Sequence, residues 1–267
     1  MRGTGGRQPL AGIGVLVTRP EHQSQRLVEL IRSLGGEPLL FPAMEIVAQP
    51  DTATAPVLKR LTEFDLAIFT SPNAARLAMQ RIAQAGGLPV GLRMAALGPG
   101  TAAELKKFGA RAMITPDADF DSEALLEKLS GLQLSGKRVV IFRGQGGREL
   151  LGESLRQRDA EVEYVECYRR VRPRHDLTEL MPLWQQGRLR ACLATSSEIL
   201  INLFDMAGEA CRPWLCQTPT FVPHPRVAAT AFAFGVHTVF VAGMGDEVLA
   251  SGLETWFARL RRVHPVA

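Results

Sequence analysis

Several features are scarce or missing in this 267-residue chain, and each absence narrows what it can do. No apolar run approaches the ~18 residues that span a bilayer. The run IGVLV at 13–17 meets Arg19-Pro20 too soon to act as a secretion signal, so a cytoplasmic protein with no membrane partner is expected. Aromatic residues make up only 6% of the chain and interleave with no basic stripe, so a nucleic-acid partner is not expected either. The densest basic run, Arg169, Arg170, Arg172 and Arg174, reads as a solvated connector. Cysteine is confined to positions 167, 192, 211 and 216, with no C-x-x-C pair. Two of the four fall inside apparent strands, which reads as reduced core thiols. A metal held by Cys211, Cys216 and His224 is a formal possibility only. The five histidines are scattered with no pair at ligand spacing, and no metal is expected.

Motifs for familiar chemistry are absent as well. There is no G-x-x-x-x-G-K-[ST] loop, no H-E-x-x-H and no G-x-S-x-G. GQGG at 144–147 lacks the last glycine of a dinucleotide loop. No cofactor is implied, and no nucleophile stands out. Lysine is scarce: 26 of the 31 basic residues are arginine, whose fork matches carboxylates and phosphates bidentately. With a formal net charge of +4, this hints at an anionic ligand.

What is present is a repeat. Shifting the chain by 124 places sets VLVTRP (15–20) on VVIFRG (139–144), Leu27 on Leu151, Glu29 on Glu153, Arg32 on Arg156 and Glu37 on Glu161. At 125, Thr70-Ser71 falls on Thr195-Ser196; at 126, Pro99 falls on Pro225 and Phe108-Gly109 on Phe234-Gly235. At 124 again, EALL (123–126) falls on EVLA (247–250). Register kept over four segments points to duplication. The length suits two domains, and the Gly-rich start, residues 1–12, is expected to be disordered.

Each half reads as strand then helix, five times over. Apolar runs near 13–17, 37–41, 66–69, 94–97 and 111–114 lack period-two alternation, as strands buried on both faces do. Helical spacing lies between them, as in Leu27, Leu30, Ile31 and Leu34. The alternation implies α/β architecture: two flavodoxin-like, doubly wound parallel-sheet domains. In such sheets ligands bind beyond the carboxyl ends of the strands, where helices begin. Thr70, Ser71 and Asn73, Gly98 and Gly100 in GPGT, Arg143, Gly144 and Arg148 in RGQGGRE, and Thr195 and Ser196 all fall at such joints. Helix starts there attract anions, although most such Ser, Thr or Gly residues merely cap a helix.

FTSPNA, ALGPGTAAELKKFGA, DSEALL, VVIFRGQGGRELLGESLRQRDAEVEYVECYRRV, ATSSEIL and FVPHPRVAATAFAFG, in this order, resemble the uroporphyrinogen-III synthase family in its proteobacterial form, over about residues 12–258. The resemblance implies interleaved domains: one from 1–42 plus 174–267, the other from 47–168, joined by a two-stranded linker at 43–46 and 169–173. It implies lobes that close on hydroxymethylbilane, a linear tetrapyrrole with eight carboxylates, held between their helix starts. The reaction implied is ring closure to uroporphyrinogen III. Water leaves to give an azafulvene cation, ring D is attacked to form a spiro intermediate, and fragmentation and reclosure invert the ring. No cofactor is implied. A monomer is implied, with room for transient contact with the preceding enzyme of the pathway.

Carried over position by position, Tyr168 matches a linker tyrosine facing the site, where its phenol would hydrogen-bond or protonate the leaving hydroxyl; its repeat partner is Met44. Thr101 matches a threonine of the site, and Ser71 and Ser196 match paired strand-end serines. Arg143, Gly144 and Arg148 are expected at carboxylates. Arg19 is a weaker candidate, since it could pair with a neighbouring helix. Where many members carry G-P-T-T, this chain has His224-Pro225-Arg226, so Arg226 would replace close backbone approach by direct charge, with His224 at the rim. A sugar-nucleotide glycosyltransferase shares the two-domain plan but is usually longer. A two-domain α/β binding protein or sensor for an anionic metabolite is the alternative from another class.

Overall fold

The protein, described here from a computed structural model, is defined over residues 8–263. The chain divides into two compact units, Met1–Glu45 with Val171–Ala267 and Ile46–Arg170. The expected domain ranges 1–42 and 174–267 extend past the described residues at both ends.

Unit 1 contains strands β1 (Gly14–Val17), β2 (Glu37–Leu40), β8 (Leu189–Leu193), β9 (Thr220–Val222) and β10 (Val239–Val241) in the order β10-β9-β8-β1-β2, every pairing parallel. Its helices are α1 (Gln25–Ser33), α7 (Met181–Gln185), α8 (Ser197–Gln217), α9 (Pro225–Ala233) and α10 (Asp246–Val263). Unit 2 has β3 (Glu45–Ala48), β4 (Leu66–Phe69), β5 (Arg93–Ala96), β6 (Arg138–Gly144) and β7 (Glu161–Val171) in the order β3-β7-β6-β4-β5. Strands β4 to β7 pair in parallel. Its helices are α2 (Asp51–Leu58), α3 (Pro72–Gln84), α4 (Pro99–Lys107), α5 (Ser122–Lys128) and α6 (Leu150–Arg156).

The apolar runs without alternation are strands covered on both faces. In β4, Leu66 and Ile68 pack with Leu125 of α5 and Leu151 of α6, while Ala67 and Phe69 pack with Ala74 and Ala78 of α3 and Leu105 of α4. Successive residues therefore serve opposite cores, as the pleat requires. Phe69 stacks on Phe142 of β6 with centroids 4.9 Å apart. In unit 1 the same layering puts Val15 and Val17 against Leu27 and Ile31 of α1 and Leu253 and Phe257 of α10.

The two sheets share one topology. Taken in spatial order, β9-β8-β1-β2 corresponds to β5-β4-β6-β7. Gly14 to Arg138 and Glu37 to Glu161 are both 124 residues apart, so β1-α1-β2 and β6-α6-β7 are repeat counterparts. Yet β1-α1-β2 lies in the sheet built by the second half, and β6-α6-β7 in the sheet built by the first. The halves have exchanged their opening strand-helix-strand arms. Unit 2 is consequently continuous in sequence, and unit 1 is assembled from two pieces.

Two expectations need correction. The run 111–114 is no strand but a single parallel bridge, Ala95 to Ile114. The next ladder bond on that side would need a donor from residue 116, which is proline and has none. The start of the chain is ordered from residue 8: Leu10 is wholly buried and its N–H donates to the Leu34 carbonyl at 2.9 Å. The expected disorder over residues 1–7 lies outside the described residues. Strands β3 and β7 run through Glu45 and Val171, where the chain passes between units. Because unit 2 is continuous, residues 46–170 expressed alone should fold, giving a cooperative thermal transition by far-UV circular dichroism; a featureless melt would show that it needs the remainder of the chain.

Candidate functional site

Parallel strands β4, β5 and β6 end at one edge of unit 2, and a group of candidates gathers there. After β4, Ser71 is extended (φ −157°) and caps α3, its Oγ accepting from Ala74 N–H at 3.1 Å, with Pro72 in the first turn and Asn73 next to it. Thr70 donates both its N–H (3.1 Å) and its hydroxyl (3.3 Å) to the Phe142 carbonyl. Tyr168, on β7, pairs with Gly144 at the end of β6 and is only 2% exposed. Its hydroxyl lies 3.1 Å from Ser71 Oγ. Gly144 makes this possible, because a Cβ there would lie 2.6 Å from the phenol Cζ. The same absence of a side chain at Gly98, the first residue before α4, makes room for Phe120: a Cβ there would lie 3.1 Å from Phe120 Cβ. Close approach at Gly98 is thus taken up within the protein. Gly100 and the buried Thr101 follow in the first turn of α4.

Arg143 is 7% exposed. Its guanidinium lies 4.4 Å over the Tyr164 ring, donates to the Gly147 carbonyl at 3.3 Å, and pairs with Glu149 at 2.9 Å. The bond from Arg143, and next that from Tyr164, hold the Glu149 carboxyl below its ordinary pKa. Burial, and next the bond with Glu149, raise that of the Tyr164 phenol. Arg143 lines a cavity of ≈150 Å³ together with Thr70, Ser122, Gly147, Arg148 and Tyr164. Arg148 is mostly exposed and stands 3.8 Å from Glu123. A larger hollow of ≈750 Å³, lined by Asp65, Val90, Arg93 and Lys137, opens at the opposite edge and contains no candidate residue. Asp65 is already satisfied there by Lys137 Nζ and Arg138 N–H.

The remaining candidates occupy the matching edge of unit 1. Ser196 caps α8 as Ser71 caps α3, accepting from Ile199 N–H at 3.2 Å, with Thr195 before it. His224 is exposed and caps α9 through Nδ1, which accepts Arg226 N–H at 3.1 Å. The imidazole itself thus satisfies a helix start. Arg226 is exposed. Arg19 is occupied: its two Nη atoms donate to both oxygens of Asp246 at 2.6 and 2.8 Å, so a ligand carboxylate would have to displace that pair. Burial raises the thiol pKa of Cys167 and of Cys192 to about 12, which makes them inert core residues. Among the described residues no three His, Cys, Asp or Glu side chains are placed to hold a metal ion.

Residues 25–244 match the family model described as Uroporphyrinogen-III synthase HemD. The chain belongs to that family. It is 35% identical to the uroporphyrinogen-III synthase of Salmonella typhimurium, over 88% of this chain and 96% of that protein. It is 32% identical to the Escherichia coli enzyme over the same shares. In fold it resembles a mutant uroporphyrinogen III synthase of Thermus thermophilus (TM-score 0.60, 20% identity, 94% of this chain and 99% of that one). It also resembles the Helicobacter pylori uroporphyrinogen-III synthetase (TM-score 0.55, 16% identity, 90% and 97%).

Sequence reasoning missed Ser122, Glu149 and Tyr164, the neighbours of Arg143. Ser122 was within reach, since it falls on Asp246 at the offset of 124. The stack on Tyr164 and the pairing with Glu149 had no signal in the sequence. Gly144→Ala should displace the Tyr168 phenol and cost ~1–3 kcal/mol, read as a lower urea midpoint at unchanged m-value.

Proposed function

We propose that the chain cyclises hydroxymethylbilane to uroporphyrinogen III, with the polar edge of unit 2 supplying the proton transfer and part of the anion binding. Family membership supports the activity, and the single structural observation that supports the site is the Tyr168 hydroxyl held 3.1 Å from Ser71 Oγ over Gly144. Ser71 Oγ already accepts the Ala74 N–H, so its own hydrogen is available to the phenol oxygen. In that arrangement Tyr168 keeps its hydrogen for the substrate. It passes to the leaving hydroxyl, the carbon–oxygen bond breaks, and water departs from the bilane. Ser71 then donates to the phenolate that remains. Once the rearranged ring has closed, the proton lost from the attacked ring carbon returns to Tyr168, and the net change is loss of one water. The phenol is covered in this structure, so it meets substrate only after local opening.

The bilane closes to the symmetric isomer I without an enzyme, so the protein has to steer a reaction that already runs. Favouring one outcome by 99 to 1 requires only ~2.7 kcal/mol of barrier difference, within the range that positioning supplies. The capped helix starts at Ser71 and Ser196, together with Arg143, Arg148 and Arg226, are proposed as contacts for the acetate and propionate groups. No cofactor enters this reading.

A monomer working in the cytoplasm fits the four free cysteines, which suit a reducing compartment. No helix among the described residues is long and apolar enough to cross a membrane. Because free bilane closes spontaneously, transient contact with the enzyme that makes it would limit loss to isomer I.

The test is to add the protein to freshly made hydroxymethylbilane and resolve the isomers. Isomer III is expected, and unchanged isomer I rejects the reading. Tyr168→Phe, which keeps the ring and removes the proton, should lower kcat by ~10²-fold or more with product affinity little changed. An equal loss in both would assign Tyr168 to binding instead.

A further inference from the structure

Duplication gives the two halves matched positions, and at one pair the charge differs. In unit 1 the part-buried fork of Arg19 is closed by Asp246, the first residue of α10, through both carboxylate oxygens. The counterparts 124 residues away are Arg143 and Ser122, and Ser122 is the first residue of α5. Unit 2 has kept the arginine and lacks the carboxylate. Next to Ser122 and Arg143 lies the ≈150 Å³ cavity, roughly five water volumes, enough for a carboxylate with a methylene or two.

A guanidinium out of water needs an anion and filled donors. Arg143 is 7% exposed, and its Nε, like that of Arg19, is buried without a hydrogen-bond partner, so the two arginines differ in their carboxylates alone. Its carboxylate contact is Glu149, whose side chain is half exposed, in place of the part-buried bidentate pair that Arg19 makes with Asp246. We propose that the cavity is a subsite for one carboxylate of the ligand, bound by Arg143 and the Ser122 hydroxyl in the way Asp246 is bound by Arg19. Asp246 is thus an internal copy of the bound group, and Ser122 is the residue that leaves the place open. Glu149 balances the Arg143 charge until a ligand arrives. That the carboxylate belongs to the bilane rests on the function proposed above; that the cavity takes a carboxylate does not.

Ser122→Asp would place the unit 1 carboxylate in the cavity and fill the site from within. The variant should fold with an unchanged or higher thermal midpoint and show a KM for hydroxymethylbilane raised ~tenfold or more, with kcat changed less. Ser122→Asn, which has the size of Ser122→Asp without its charge and loses the hydroxyl contact alone, should raise KM several-fold less than Ser122→Asp does. Separately, protein labelled with ¹⁵N-arginine is titrated with propionate. The Arg143 Nε–H resonance, assigned through its loss in Arg143→Lys or through backbone connectivity if that variant does not fold, should shift saturably in the parent and in Ser122→Asn but not in Ser122→Asp. If Ser122→Asp keeps the parental KM and the propionate shift, the subsite is overturned while the reaction stands. If the parent yields no isomer III, the reaction falls, and the propionate titration alone decides the subsite.

Discussion

Parallel pairing brings the carboxyl ends of β4, β5, β6 and β7 to one side of their sheet, and the polar groups of interest in unit 2 follow from that. Thr70, Gly98 and Arg143 are far apart in sequence, yet β4, β5 and β6 deliver all three to one edge of unit 2. Strands buried on both faces have no room for polar side chains along their length. Polarity therefore collects where the chain leaves the sheet, with helix starts offering unpaired N–H groups beside it. Tyr168 joins them because β7 pairs in parallel with β6 and brings its phenol over Gly144.

The duplicated halves use the same edge differently. In unit 1 the polar groups answer one another: Asp246 closes the Arg19 fork, and His224 caps α9 with its own imidazole. At the matched positions of unit 2 stand Ser122 and Gly98, neither of which supplies that partner. Met44 and Pro20 in the first half correspond to Tyr168 and Gly144 in the second, so only unit 2 holds a phenol at that place. Both serine caps are kept, because both helices need a first acceptor whatever else the edge does. A common scaffold accounts for the caps. It does not account for the phenol or for the arginine whose carboxylate partner is half exposed, and those two differences underlie the proton transfer and anion binding proposed for unit 2.

The arginine-rich composition can be read against the same edge. Arg143 is buried and Arg19 part-buried at the end of a central strand, and Arg19 holds a bidentate aspartate while Arg143 rests on a half-exposed glutamate. The remaining candidates, Arg148 and Arg226, are exposed and carry no buried partner. Long cationic side chains at a rim attract a polyanion without fixing its geometry, whereas a buried fork fixes one group of it.

The sequence by itself determined the class of fold, the duplication and the family, because buried parallel strands write continuous apolar runs and a repeat survives as a fixed offset. It determined the helix starts too: Ser71-Pro72 and Ser196 are local signals that need only their own turn of helix. The repeat could not decide which arm joins which sheet, since an offset of 124 identifies counterparts but cannot say with whom they pair and by itself points to contiguous halves; the resemblance implied the interleaving, and the tertiary structure carries it out strand by strand. Tertiary structure alone decided that 111–114 contributes one bridge, that Leu10 belongs to a core, that Arg19 is already taken, and that the Tyr168 hydroxyl meets Ser71. Each of these depends on a partner tens of residues or more away, chosen by packing and hydrogen-bond closure over the whole sheet, and no window of sequence contains that information.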